Sequence, residues 1–161
     1  MHSAASIANA FLSKAFKEKK TISPMKIQKL LYLAQGFYLV ETDLPLMNEV
    51  FEAWRFGPVL DTVYHKCKHF GQKGIPNYLN DYDFDTGKFR PAPFPDEEKV
   101  KEVVDFVWEA AGDTPAMELS VWTHQKDGPW AITTDGGTKI LLHQEVPNDL
   151  IKEYFKANCY E

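Results

Sequence analysis

Apolar residues recur at helical spacing from about Ser3 to Lys19, where Ile7, Phe11, Leu12, Ala15 and Phe16 share one face. Lys17, Lys19 and Lys20 follow where cations favour a helix C-terminus. Thr21-Ile22-Ser23-Pro24 is a start signal, with Ser23 able to cap and Pro24 suited to the first helical position. The second helix runs to about Glu41. Its stripes Ile27, Leu31, Ala34, Tyr38 and Leu30, Leu33, Phe37, Val40 cover most of the circumference, which predicts a central helix. Gln28, Lys29, Tyr32, Gln35, Gly36 and Leu39 fill the remaining, semi-polar sector. Within it Gln28, Tyr32 and Gln35 are read as a contact face, tyrosine being a common interface anchor. Lys29 is read as capping a carbonyl or pairing with a carboxylate inside the domain.

Asp43-Leu44-Pro45 breaks the pattern, and Glu49 to Arg55 reads as a strand rich in aromatic neighbours. Gly57-Pro58 is expected to end it, with Pro58 opening a third helix to about Phe70. Residues 71–95 read as a hairpin or ordered loop excursion, because Tyr82 and Phe84 alternate with Asp81, Asp83 and Asp85 before Thr86-Gly87. A fourth helix follows to about Ala111, with Val100, Val103, Val104, Val107, Trp108 and Ala111 inward. A fifth runs from Thr114-Pro115 to about Gln125. Gly128-Pro129-Trp130 and Asp135-Gly136-Gly137 read as turns, and a last helix from Pro147 to Ala157 buries Leu150, Ile151, Tyr154 and Phe155. The expected fold is mainly α (α+β): one domain over 1–161, about six helices and a small antiparallel β element.

Composition narrows the function. The 161 residues carry 18 Lys and Arg against 23 Asp and Glu, a net charge of -5 that disfavours a generally basic nucleic-acid binder. Cys67 and Cys159 stand far apart without a CxxC, which suits a reduced cytoplasmic protein. No signal-peptide pattern or apolar run of bilayer length is visible, so no membrane role is expected.

Candidate chemistry is sparse. His65 and His69 share a helix face, but Cys67 projects from the opposite side and Lys66 breaks HExxH, so no metal site is read there. Asp81, Asp83 and Asp85 start like a calcium loop, yet Gly87 comes one place late and Ala92 stands where the bidentate Glu belongs. Ser120, His124 and Asp127 lack the nucleophile elbow of a hydrolase. Neither an enzyme nor a cofactor is expected.

Several segments taken in order resemble the Panacea-domain family, also called SocA-like antitoxins. They are Lys26-Ile27-Gln28-Lys29-Leu30-Leu31-Tyr32-Leu33-Ala34-Gln35-Gly36, then Phe51 to Val59 with Val63-Tyr64 beyond, then Glu118-Leu119-Ser120, Thr123-His124 and Pro129-Trp130, and finally Ile151 and Tyr154-Phe155. The motif residues Lys29, Leu30, Leu31, Tyr32, Ala53, Trp54, Gly57, Pro58, Val59, Tyr64, Leu119, His124, Pro129 and Trp130 are read as fold determinants, with His124 and Trp130 a hydrogen-bonding and packing pair. The resemblance implies a small helical domain that neutralises a cognate protein toxin or, as an adaptor, hands it to a Clp-family protease. Some members are phage or prophage encoded, so a phage or prophage protein with a host-directed binding role is a further alternative. Relatives with a helix-turn-helix domain exist, but the motifs take up Ala4 to Phe155, so direct DNA binding is not expected.

Two surfaces stand out as partner contacts. Trp54, Arg55 and Phe56, if exposed, are natural hot-spot residues. Glu98, Glu102, Asp105 and Glu109 form an acidic strip on the fourth helix that would suit a basic surface.

Overall fold

Ser3 and Ser23 set the first two helices in register. In the computed structural model, which describes residues 1–160, each serine sits in extended backbone and its hydroxyl accepts an amide hydrogen from the residue three places on. Helix α1 spans Ala4–Lys17 and α2 spans Pro24–Thr42, the latter ended by Asp43 in the left-handed region. No position of α2 from Lys26 to Val40 is fully exposed, and α1, α3 (Asp61–Cys67), α4 (Glu98–Ala111), α5 (Ala116–Thr123) and α7 (Asn148–Asn158) all pack around it. At Gly36 any side chain would collide with the Phe155 ring, so the missing Cβ is what brings α7 onto α2.

The fold is mainly α with two small antiparallel hairpins. In the first, β1 (Glu52–Trp54) pairs with β2 (Gly57–Val59) in the register Glu52↔Val59, Ala53↔Pro58, Trp54↔Gly57. The second pairs β3 (Asn80–Asp83) with β4 (Lys88–Pro91) inside the segment read as an excursion. Its base is clamped to α1 by Asn9, whose amide nitrogen donates to Leu79 O and Ala92 O while its oxygen accepts from Leu79 N.

Three local expectations are corrected. Gly57 to Val59 return as a strand, and α3 starts only at Asp61, because a positive φ of 111° at Gly57 reverses the chain. The strand read over Glu49 to Arg55 shrinks to three residues. The turn read at Gly128-Pro129-Trp130 is the start of a short helix, α6 (Pro129–Thr134), with Pro129 at its first position. This makes seven α-helices among the described residues, plus a 3₁₀ turn at Lys68–Phe70. In α7, Ile151 and Phe155 are buried, whereas Leu150 and Tyr154 are only half-buried. No described helix is long and apolar enough to cross a membrane.

Candidate functional site

The polar sector of α2 turns inward, which corrects its reading as a contact face. Gln28 donates its amide to Leu60 O at 3.0 Å and accepts from Leu60 N at 2.9 Å, pinning the segment between β2 and α3. Gln35 accepts from the amides of Leu46 and Met47 and donates to Asn148 Oδ1 at 3.0 Å. Tyr32 is buried among Phe51, Trp122 and Phe155, each ring meeting it edge-on. All three residues spend their polarity or area on the chain itself. Tyr32 and Gln35 are not available to a partner, and Gln28 meets the surface only through the small part of it that lines the groove beside Trp54.

The β1–β2 turn collects the dispersed motif residues instead. Lys29 Nζ donates to Phe56 O at 2.8 Å, and the Ser120 hydroxyl donates to the same oxygen at 3.2 Å. The Trp130 indole N–H donates to Trp54 O at 2.6 Å. His124 Nε2 lies 3.2 Å from Arg55 O while its Nδ1 lies 2.6 Å from Ser120 O. A neutral imidazole can donate to only one of these two carbonyls; the imidazolium satisfies both. The His124 and Trp130 rings also pack against each other, tilted by 54° with centroids 4.2 Å apart. Thus α2, α5 and α6 each send side chains to successive carbonyls of one turn. A backbone tip that would otherwise fray is held from behind at three consecutive residues.

Gly57 makes the convergence possible. A Cβ there would stand 2.6 Å from Lys29 Nζ and 2.8 Å from Thr123 Oγ1. Lys29 is 1% exposed and has no carboxylate partner among the described residues, and its burial pushes the ammonium pKa down to about 8. Of the two roles open to it, it takes carbonyl capping.

Held this way, the tip projects outward. Phe56 is 63% exposed, Arg55 is exposed, and Arg55 lies 5.9 Å from the Phe56 ring centroid. Trp54 is half-buried, its ring 4.7 Å edge-on from Tyr64 and its N–H donated to Glu52 Oε1 at 3.0 Å. On one side of the tip a groove of about 380 Å³ runs between Met25, Trp54, Phe56 and Tyr64. On the other, a groove of about 370 Å³ separates Arg55 from Ile140, Leu141 and Leu142. Leu142 is 87% exposed. The sequence signal for this loop, absent from the expectations above, is its three consecutive aliphatic residues between Gly136-Gly137 and Pro147, a poor fit for a merely solvated connection.

The acidic strip is exposed and partly self-neutralised. Asp105 pairs with Lys14, and Glu102 pairs with Lys99 at 3.0 Å, whereas no ion pair is found for Glu98 or Glu109 among the described residues. Burial pushes the Cys67 thiol up to about 11, which leaves it unreactive. The Ser120 hydroxyl faces Phe56 O and the His124 ring faces two carbonyls, so these side chains do not form a nucleophile–base pair.

Comparison with known proteins follows the same residues. The family described as "Antitoxin SocA-like, Panacea domain" matches positions 27–131, a stretch that includes Lys29, the β1–β2 hairpin, Ser120, His124 and Trp130. Antitoxin SocA of Caulobacter vibrioides (strain NA1000 / CB15N) is 34% identical over 154 residues, covering 95% of this chain and 82% of that protein. No solved structure matches.

Proposed function

The chain belongs to the SocA-like Panacea-domain family, and from that premise we propose that it is an antitoxin that neutralises a cognate protein toxin by binding it in the cytoplasm. The contact is the β1–β2 tip with its flanking grooves. The observation that carries this reading is the convergence of Lys29, Ser120, His124 and Trp130 on the carbonyls of Trp54 to Phe56. Four side chains far apart in sequence are committed to fixing a turn whose own outward face is an exposed aromatic and an exposed arginine. Such a preformed anchor lowers the ordering cost of association. A stable complex would bury about 1,200–2,000 Å² in total. No covalent step is required.

The test is expression of the adjacent gene in bacteria with and without this chain. The expected result is growth arrest alone and rescue on co-expression. A harmless neighbour, or one still lethal beside this chain, overturns the proposal.

An adaptor role with a Clp-family protease is the second reading, favoured by the separation of two exposed surfaces: the hairpin tip and the α4 strip lie on different elements. It predicts that deleting this chain lengthens the half-life of its client, whereas simple sequestration does not.

A further inference from the structure

Resting on the reading of the hairpin as the contact surface, we propose that the groove beside Phe56 receives an apolar side chain of the partner protein that has a carboxylate next to it. The walls give the first half of that chemistry. Met25 enters from the first turn of α2, Trp54 and Phe56 from the hairpin, and Tyr64 from α3. The Trp54–Tyr64 edge contact and the indole hydrogen bond to Glu52 fix one wall before anything binds. A groove of about 380 Å³ holds one large side chain and part of its neighbour, not a helix.

Charge gives the second half. The chain carries a net charge of -5, yet the exposed cation of this groove, Arg55, forms no ion pair among the described residues. The carboxylates on the flanking elements are already engaged. Glu52 accepts the Trp54 indole N–H and lies 3.4 Å from His143 Nδ1, and Asp61 lies 3.1 Å from His65 Nε2. Lys29, at the back of the groove, is buried and donates to the carbonyl of Phe56, so it supports the wall and does not meet the partner. Arg55, at the rim, presents a planar fork that matches a carboxylate bidentately. An acidic group beside an apolar anchor supplies the counter-ion that Arg55 lacks. One exposed arginine is too sparse a charge for a phosphate backbone, whose binding draws on several cations at once.

The experiment uses the full chain and the purified product of the adjacent gene. A photo-crosslinking amino acid in place of Phe56 maps the partner segment by mass spectrometry, and titrations compare wild type with Arg55→Gln, Arg55→Lys and Phe56→Ser. The expected segment contains Asp or Glu beside a large apolar residue. Arg55→Gln is expected to weaken binding about tenfold, and Arg55→Lys less, since a charged hydrogen bond is lost in one and retained in the other. If Phe56→Ser abolishes binding while Arg55→Gln does not change it, or if the crosslinked segment has no carboxylate, the groove chemistry is wrong and the hairpin reading stands. If neither substitution changes affinity, both fail.

Discussion

The ammonium of Lys29 lies 2.8 Å from the carbonyl oxygen of Phe56 and has no counter-ion among the described residues, so a buried charge on the central helix supports the most exposed aromatic of the first hairpin. The two residues are 27 positions apart, and the bond ties the core to the candidate contact surface. What a partner would touch is therefore anchored by residues that it cannot reach.

That bond carries a pH signature. The Lys29 pKa falls from 10.5 to about 8 on folding, so between these values the unfolded chain binds the extra proton and stability rises with pH. The shift corresponds to about 3 kcal/mol as an upper figure, gained between roughly pH 8 and 10.5. Urea midpoints of wild type and Lys29→Met measured across that range check it. The difference between the two proteins should shift in favour of wild type as pH rises; a constant difference contradicts the buried, unpaired ammonium.

Gly57 should tolerate no side chain. Gly57→Ala places a Cβ at φ 111° against Lys29 and Thr123, and strain of this kind costs about 1–3 kcal/mol. Thermal melts should show the loss, and nuclear magnetic resonance should show the Trp130 indole proton released from Trp54 O. A variant with an unchanged melt and an unchanged indole signal would refute the close approach.

Core and tip should separate cleanly. Leu31 is fully buried on α2, so Leu31→Ala should cost about 2–5 kcal/mol. Phe56→Ser, on an exposed ring, should change stability by no more than about 0.5 kcal/mol. Denaturant titration of both variants decides it, and equal losses would contradict the assignment of Phe56 to the surface.

Much of this architecture is legible in the sequence because it is local. Ser3 and Ser23-Pro24 announce two helix starts, the double apolar stripe marks α2 as central, and the alternation around Tyr82 with Thr86-Gly87 marks the second hairpin. What the local pattern does not reveal depends on distant partners. Gln28 and Gln35 look like surface residues until Leu60, Leu46 and Met47 offer backbone groups for their amides. Gly128-Pro129 signals a turn and a helix start equally well, and only the use of Trp130 against Trp54 O shows which is needed. The candidate site was half visible. Trp54, Arg55 and Phe56 were identifiable as hot-spot types, but the loop at Ile140 to Leu142 joins them only in three dimensions.

The acidic strip on α4 should affect approach rather than grip. Reversing Glu98 and Glu109, the two strip carboxylates without an ion pair among the described residues, should slow association at low salt and leave dissociation unchanged, as peripheral charges do. Stopped-flow mixing with the adjacent gene's product reads both rates. A faster dissociation would place the strip inside the interface.

The central claim is that the supported hairpin tip is what this chain presents to another protein. The most direct measurement is the affinity of the adjacent gene's product for wild type and for Phe56→Ser, by calorimetry at matched stability. Loss of about 2 kcal/mol or more, the scale of a hot spot, is predicted; equal affinity for the two proteins would contradict it.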